Sequence, residues 1–455
     1  MIFEMVKSTG IAQNSYFLGS GGSAAVIDPR RDVDIYLELA LSHELQIKYI
    51  FETHRNEDYT IGSLELAKVT GAQILHGHKM DFAYGTPVYD NDTFNLGSIE
   101  IKVLETPGHT LESISITITD KNVSEDVQMV FVGDVLFAGA TGRVDFFGES
   151  ETPNMAHKLH ESIYKKILPL GDHVILCPAH GAGSVCGTDI REQDINTIGY
   201  EKKTNNDLQL SEEEFIEAKI KEELYYPPYF QQMEKNNKEG VGILGHLPYL
   251  TPLTPDEVNN LVENGAQLLD TRMPTSFGGG HIPNSLNIWR DGVGSFSGWF
   301  LNYEDPIIII EDNEKNLNEV LKYLIRIGFD NIYGYLMGGF EAWYMAAREI
   351  DKLDMWSVHE LKKSLDNKED LFLLDVRKLS DRKKGHINDS YHIYTGEVLQ
   401  KLDQIPKNKK IVVYCDSGYK STLVASLLQK SNYENVKSVL GSMGAWLKAG
   451  YPVNK

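Results

Sequence analysis

Thr53-His54-Arg55-Asn56-Glu57-Asp58-Tyr59 closes the apolar run IKYIFETH and sets two metal-type side chains, His54 and Asp58, just past a predicted strand. Three further islands repeat that arrangement: Thr106-Pro107-Gly108-His109-Thr110, Val132-Gly133-Asp134 and Pro178-Ala179-His180-Gly181. Each ends a β-rich run, IEIKVLETPGH, MVFVGDVLF and HVILCPAHG. A lone histidine in such a loop is ordinarily a satisfied loop residue. Four islands of His and Asp at strand ends in one domain argue for a shared site, because loops from several strands converge on one place. Helical stretches lie between several of the runs, VDIYLELALSHEL and SLELAKVTG among them, the second stopped by Gly71. Strands interleaved with helices over the first 200 residues predict an α/β domain.

Beyond this region the texture changes. Ser211 with Glu214 forms a capping box, predicting a charged helix to about Leu224, and Pro227-Pro228 breaks it. LGHLPYLTPLTPDEV reads as a connector leading to Thr254, an N-cap residue. Then comes an internal repeat. QLLDTRMPTSFGGGHIPNSLNI (267–288) matches LFLLDVRKLSDRKKGHINDSYHI (371–393), pairing Asp270 with Asp375 and His281 with His386. IIIIEDN matches VVYCDSG, so Glu311 pairs with Cys415, and GGFEAW (338–343) matches GSMGAW (441–446). Two copies of one fold of about 100 residues fill the 455-residue length, near the roughly 150 residues per domain expected of a three-domain chain.

The charge balance, 44 Lys+Arg against 65 Asp+Glu for a net −21, argues against nucleic acid or an anionic membrane surface as the main partner. No apolar run is long enough to span a bilayer, and MIFEMVKSTGIAQNSYFLGSGG lacks the layout of a signal peptide. Only three cysteines occur, Cys177, Cys186 and Cys415, too few for a disulfide framework, so a reducing cytoplasmic setting is the expectation. Cys177, inside ILCPAH, reads as core.

The amino-terminal islands resemble the metallo-β-lactamase superfamily, and within it the persulfide dioxygenases fused to rhodanese domains. The resemblance implies an αββα sandwich followed by two α/β rhodanese-like domains: residues 1–240 as the dioxygenase-like domain with a helical extension and linker, 250–350 as an inactive rhodanese copy and 355–455 as an active one. The family signature H-x-H-x-D-H, Gly-His, Gly-Asp, His maps onto His54, Asp58, His109, Asp134 and His180, with Asn56 and Tyr59 where two histidines belong. An amide oxygen and a phenol are poorer zinc ligands than imidazole, so the second metal of a binuclear hydrolase is not expected. His54, His109 and Asp134 remain, two imidazoles and one carboxylate, a facial set associated with non-haem Fe(II). The resemblance implies one mononuclear Fe(II) on these three, with zinc an alternative in isolated protein, and Asp58 and His180 as orienting residues. Gly142-Arg143-Val144-Asp145 matches a family stretch close to the metal; Arg143 pairs either with a substrate carboxylate or structurally with Asp145. Cys186 resembles a cysteine of the fused members, to be weighed against a buried small hydrophobe.

In the last copy, Val412-Val413-Tyr414-Cys415-Asp416-Ser417-Gly418-Tyr419-Lys420-Ser421 reads as strand, short loop and helix. A cysteine there faces backbone amides and a helix amino terminus, both of which favour a thiolate. The stretch resembles the rhodanese pattern C-x-x-G-x-[R/K]-S, which implies Cys415 as the sulfur carrier in a cradle of Gly418, Lys420 and Ser421. Lysine keeps the charge of the usual arginine but loses its fork. In the middle copy Glu311 takes the cysteine's place and cannot carry sulfane sulfur, so that copy is expected to be a scaffold. Together the resemblances imply oxidation of a low-molecular-weight thiol persulfide with O₂ to sulfite, and transfer of sulfane sulfur to or from thiosulfate. A homo-oligomer is expected. A glyoxalase-II-like zinc thioesterase and a non-catalytic sulfur carrier or sensor are the alternatives.

Overall fold

The computed structural model describes residues 1–187, 190–193 and 195–454. The chain divides into two compact units, Met1–Leu247 with Ile325–Gly328, and Pro248–Leu324 with Phe329–Lys455.

The first unit is built on two six-stranded sheets. One holds β1 (Ile2–Ser8), β2 (Gln13–Ser20), β3 (Ser23–Ile27), β4 (Gln46–Glu52), β5 (Gln73–Gly77) and β6 (Thr86–Val88) in chain order. The other holds β7 (Thr93–Leu96), β8 (Ile99–Glu105), β9 (Ile114–Asp120), β10 (Met129–Gly133), β11 (Ile175–Pro178) and β12 (Asn196–Thr197), again in sequence order. Side chains from the inner faces interdigitate, with Leu18, Phe51, Leu75, Val103, Ile116, Phe131 and Cys177 all buried in one cluster. Cys177 is therefore core, and burial pushes its thiol up to about 12. Outside the first sheet lie helices Asp34–Ser42 and Ser63–Thr70, whose Tyr36 and Leu66 pack on Phe17, Val26 and Ile50. Outside the second, helix Thr152–Glu161 sets Met155 and Leu159 on Val130, Val132 and Leu176. The layers run α, β, β, α, as the family resemblance implied. Strands covered on both faces read as near-continuous apolar runs, which is why MVFVG is buried throughout.

Ser211 does form a capping box with Glu214, but the helix ends at Ile220 rather than near Leu224. There the chain turns so that Lys219 Nζ reaches both Glu222 and the Thr141 carbonyl. A second helix, Phe230–Glu239, occupies part of what reads as a linker.

The second unit repeats one parallel sheet twice. β13 (Thr251–Leu253), β14 (Gln267–Asp270), β15 (Leu286–Asn287), β16 (Ile307–Ile310) and β17 (Ile332–Leu336) lie in the order 13-17-16-14-15. β18 (Asp354–Trp356), β19 (Leu371–Asp375), β20 (Tyr391–His392), β21 (Lys410–Tyr414) and β22 (Val436–Val439) lie in the order 18-22-21-19-20. The orders are identical on a shift of five strands. Arg272 clamps Asp270 through Nε and a terminal nitrogen, and Arg377 clamps Asp375 in the same way. His281 and His386 each close their copy by bridging to a residue near its end, Asp351 and Asn454. The copies touch: the Asn287 amide donates to Ser426 Oγ at 3.0 Å, and Trp289 meets Tyr419 with ring centroids 5.1 Å apart. Among the described residues, no helix is long and apolar enough to cross a membrane.

Candidate metal centre and cysteine cradle

Four strand ends deliver the four islands to one edge of the sandwich. His54 follows β4 of the first sheet, while His109, Asp134 and His180 follow β8, β10 and β11 of the second. Gly133 lets the two sheets meet. Its φ is +54°, and a Cβ there would stand 2.7 Å from Thr53 Oγ1, so a side chain would push β10 off the His54 loop.

Second partners fix which ring nitrogen faces inward. His109 Nδ1 donates to the Arg143 carbonyl at 2.9 Å, which leaves Nε2 with its lone pair. Thr53 Oγ1 donates to Asp28 at 2.8 Å, so it accepts from His54 Nδ1 at 2.9 Å, and His54 Nε2 is bare as well. Asp134 Oδ1 accepts from His180 Nδ1 at 2.7 Å, freeing Oδ2. These three bare atoms, His54 Nε2, His109 Nε2 and Asp134 Oδ2, are buried and have no hydrogen-bond partner. His54 Nε2 lies 3.7 Å and His109 Nε2 3.5 Å from Asp134 Oδ2. Ligand atoms about 2.1 Å from a shared cation stand about 3.4 Å apart at a tetrahedral angle and about 3.6 Å apart at 120°. The spacing thus suits one ion, and an ion would satisfy three orphaned groups whose burial otherwise costs about 1–3 kcal/mol each. Burial, opposed by Asp134, lowers His54 to about 4, so it is a neutral imidazole at pH 7, as a ligand must be. Burial raises the Asp134 carboxyl, but its imidazole neighbours, His180 first, more than reverse this and hold it below the usual carboxylate range.

Asp58, His180 and Cys186 come to the same place. His180 Nε2 is 3.0 Å from Asp58 Oδ2, and one donor atom from each of the three residues lies within 4.8 Å of the others. Cys186 also falls within that distance of His109 and Asp134. It is buried, and burial with the surrounding carboxylates raises its thiol well above the ordinary value. Asn56 stands at a left-handed φ of 48°, which asparagine tolerates, and its amide folds back onto the His54 carbonyl. The Tyr59 ring meets His180 edge-on.

Arg143 decides between its two readings. Its Nε and one terminal nitrogen clamp Asp145 at 2.7 and 2.6 Å, and the other terminal nitrogen donates to the Val185 and Tyr225 carbonyls at 3.1 Å each. Phe146 and Phe230 pack on the guanidinium. The residue joins the site loop to the helical extension and is paired with Asp145.

Two residues escape the sequence reading. Asn237, on helix Phe230–Glu239, is buried; its Nδ2 donates to the Asn56 and Tyr59 carbonyls, and its Oδ1 accepts from the Ile61 amide. It pins the His54–Tyr59 loop. Glu57 occupies a variable position of the signature, yet it is fully buried with Oε2 3.4 Å from His109 Nε2. The available signal was an extra acid inside an island of metal-type residues.

In the second unit Cys415 ends β21, a central strand, ahead of helix Tyr419–Lys430. Gly418 caps that helix at φ +104°, and its amide donates to Cys415 Sγ at 3.1 Å. Ser421 Oγ lies 3.7 Å from the sulfur and accepts from Ser438 Oγ. Lys420 Nζ is paired with Asp416 at 2.6 Å, so the charge on this loop belongs to an ion pair. In the middle copy Glu311 satisfies itself: it accepts from the Asn313 amide and Asn316 through Oε1 and from Thr271 through Oε2.

Comparison with known proteins agrees with this division. Residues 8–180 match the metallo-beta-lactamase superfamily, and residues 254–346 and 357–449 match the rhodanese-like domain. A crystal structure of a metallo-beta-lactamase from Staphylococcus aureus subsp. aureus COL is 30% identical, with a TM-score of 0.67, covering 74% of this chain and 99% of that one. Hydroxyacylglutathione hydrolase GloC of Haemophilus influenzae is 28% identical over 45% of this chain and 97% of its own length. The mitochondrial persulfide dioxygenase ETHE1 of Bos taurus is 28% identical over 47% of this chain and 77% of its own length.

Proposed function

The chain belongs to the metallo-β-lactamase superfamily and carries two rhodanese-like domains, and we propose that it is a bifunctional enzyme of sulfur metabolism. Its amino-terminal unit oxidises a low-molecular-weight thiol persulfide: RSSH + O₂ + H₂O → RSH + SO₃²⁻ + 2 H⁺. Cys415 carries a sulfane sulfur, passing it to sulfite as thiosulfate or taking it from thiosulfate. The observation that carries this reading is the trio of buried, partnerless ligand atoms on His54, His109 and Asp134, in a chain that also holds a cradled cysteine.

Iron(II) held by His54, His109 and Asp134 would supply one-electron chemistry and open positions for O₂ and the terminal sulfur. The chain's own part is orientation. Thr53 and the Arg143 carbonyl aim the two imidazoles, and His180 donates to the outer oxygen of Asp134. Phe146, edge-on to His109, and Phe230 beside it keep that flank apolar and limit water. In the cradle the Gly418 amide and Ser421 stabilise the leaving thiolate when sulfur departs from Cys415.

The second reading is a binuclear thioesterase. It is favoured by the Asp58–His180–Cys186 cluster beside the first centre and by the similarity to GloC. Metal analysis of protein purified without added metal, with thioester turnover assayed on the same sample, separates the two. One iron per chain and no thioesterase activity are expected; two zinc ions with thioester hydrolysis would replace the dioxygenase reading.

A further inference from the structure

Within the metal centre just proposed, on which this inference rests, we infer that Glu57 is a fourth protein ligand, bound through Oε2, making the set two imidazoles and two carboxylates. Three observations carry it. Glu57 Oε2 is buried, has no hydrogen-bond partner and stands 3.4 Å from His109 Nε2. That separation is the one expected of two ligand atoms about 2.1 Å from one ion at a tetrahedral angle. Its donor atom also lies within 4.8 Å of that of His54, so it faces the same point as both imidazoles.

The rest of the residue is arranged to leave that oxygen free. Oε1 is tied to Arg55 Nε at 3.2 Å, and Arg55 is held in turn by Glu234 at 3.3 Å and packs over Phe147. Arg55 therefore draws one carboxylate oxygen outward and leaves the other pointing in. The turn that allows this is the left-handed Asn56, whose side chain folds back onto the His54 carbonyl.

Charge argues the same way. Glu57 and Asp134 place two buried carboxylates near His109; Arg55 and His180 each take one outer oxygen, which leaves Glu57 Oε2 and Asp134 Oδ2 facing the imidazole. A divalent cation held by both oxygens would be neutralised by the pair. An ordinary Glu57–His109 ion pair is the competing account. It requires a proton on His109 Nε2 and would hold the two facing oxygens, at 3.4 and 3.5 Å, at ion-pair distance without a charge-assisted hydrogen bond; the cobalt bands of Glu57→Gln separate the two accounts.

Cobalt(II) titration of the full chain against a competing chelator, under argon, tests this with the metal alone. Wild type, Glu57→Gln, Glu57→Ala, His109→Ala and Glu234→Gln are compared, with circular dichroism of each metal-free protein reporting the fold. Loss of an outer partner weakens metal binding about 10–100-fold. Both Glu57 variants are expected to lose more than about 100-fold and to change the intensity of the cobalt d–d bands, while Glu234→Gln keeps the wild-type bands. The isosteric Gln variant serves if the Ala variant does not fold. Wild-type bands in Glu57→Gln, at whatever affinity, would make Glu57 an outer partner and overturn the inference. Wild-type bands in His109→Ala would remove the metal centre itself, a distinct failure.

Discussion

Arg143, itself buried, presents its guanidinium to one half-buried carboxylate and two carbonyls. Arg143→Ala leaves Asp145 and those carbonyls without their partner, and since Asp145 is partly exposed and can rehydrate, the expected loss is about 1–3 kcal/mol. Urea unfolding should show that loss; unchanged stability with a raised KM would return Arg143 to substrate binding. Cys177 gives a pH-dependent prediction. With its pKa pushed to about 12 by burial, it remains a protonated thiol at pH 8, so iodoacetamide should modify it only after unfolding. Labelling of Cys177 in the native protein would contradict its place between the sheets. At this scale the sequence exposed His54, His109, Asp134 and His180 because each carries a metal-type group past a strand end. It hid Glu57 and Asn237. A glutamate in a variable slot and an asparagine in a polar helix look like solvated residues until the backbone groups and imidazoles they face are known.

The loop from β21 into helix Tyr419–Lys430 depends on Gly418. At φ +104°, with a Cβ 3.2 Å from the Gly441 amide nitrogen, any side chain is strained. Gly418→Ala is expected to cost about 1–2 kcal/mol and to misalign the amide that faces Cys415 Sγ. A thiosulfate sulfurtransferase assay should fall sharply while bound metal is unchanged; full transferase activity would show that this amide is dispensable. The two copies were legible as elements because the Asp-x-Arg clamp, the Gly-His or Gly-Gly-His turn and the terminal Ala-Trp recur in fixed order. Helix Phe230–Glu239 was not. In its sequence, FQQMEKNNKE, only Phe230, Met233 and Asn237 are buried, and Asn237 satisfies the backbone of the metal loop rather than facing solvent. Helical periodicity registers apolar burial and passes over polar burial.

For the whole molecule, the three-domain expectation meets a structure in which the two rhodanese-like copies share one compact unit, one copy with a cradled cysteine and one with a self-satisfied glutamate. Cys415→Ser should abolish thiosulfate formation and leave sulfite production largely intact, as separate chemistries require; loss of both would join them into one site. The net charge of −21 is a poor description of either centre. The amino-terminal site gathers carboxylates around two bare imidazoles, and the cradle holds Lys420 against Asp416. The reaction proposed for the amino-terminal unit is oxidation of a persulfide at His54, His109 and Asp134. Oxygen uptake by iron-loaded full-length protein given glutathione persulfide, with sulfite measured in the same vessel, tests it most directly. One O₂ consumed and one sulfite formed per persulfide, both lost in His109→Ala, is the result predicted. No oxygen uptake by protein of measured iron content, across glutathione, coenzyme A and bacillithiol persulfides, would contradict it.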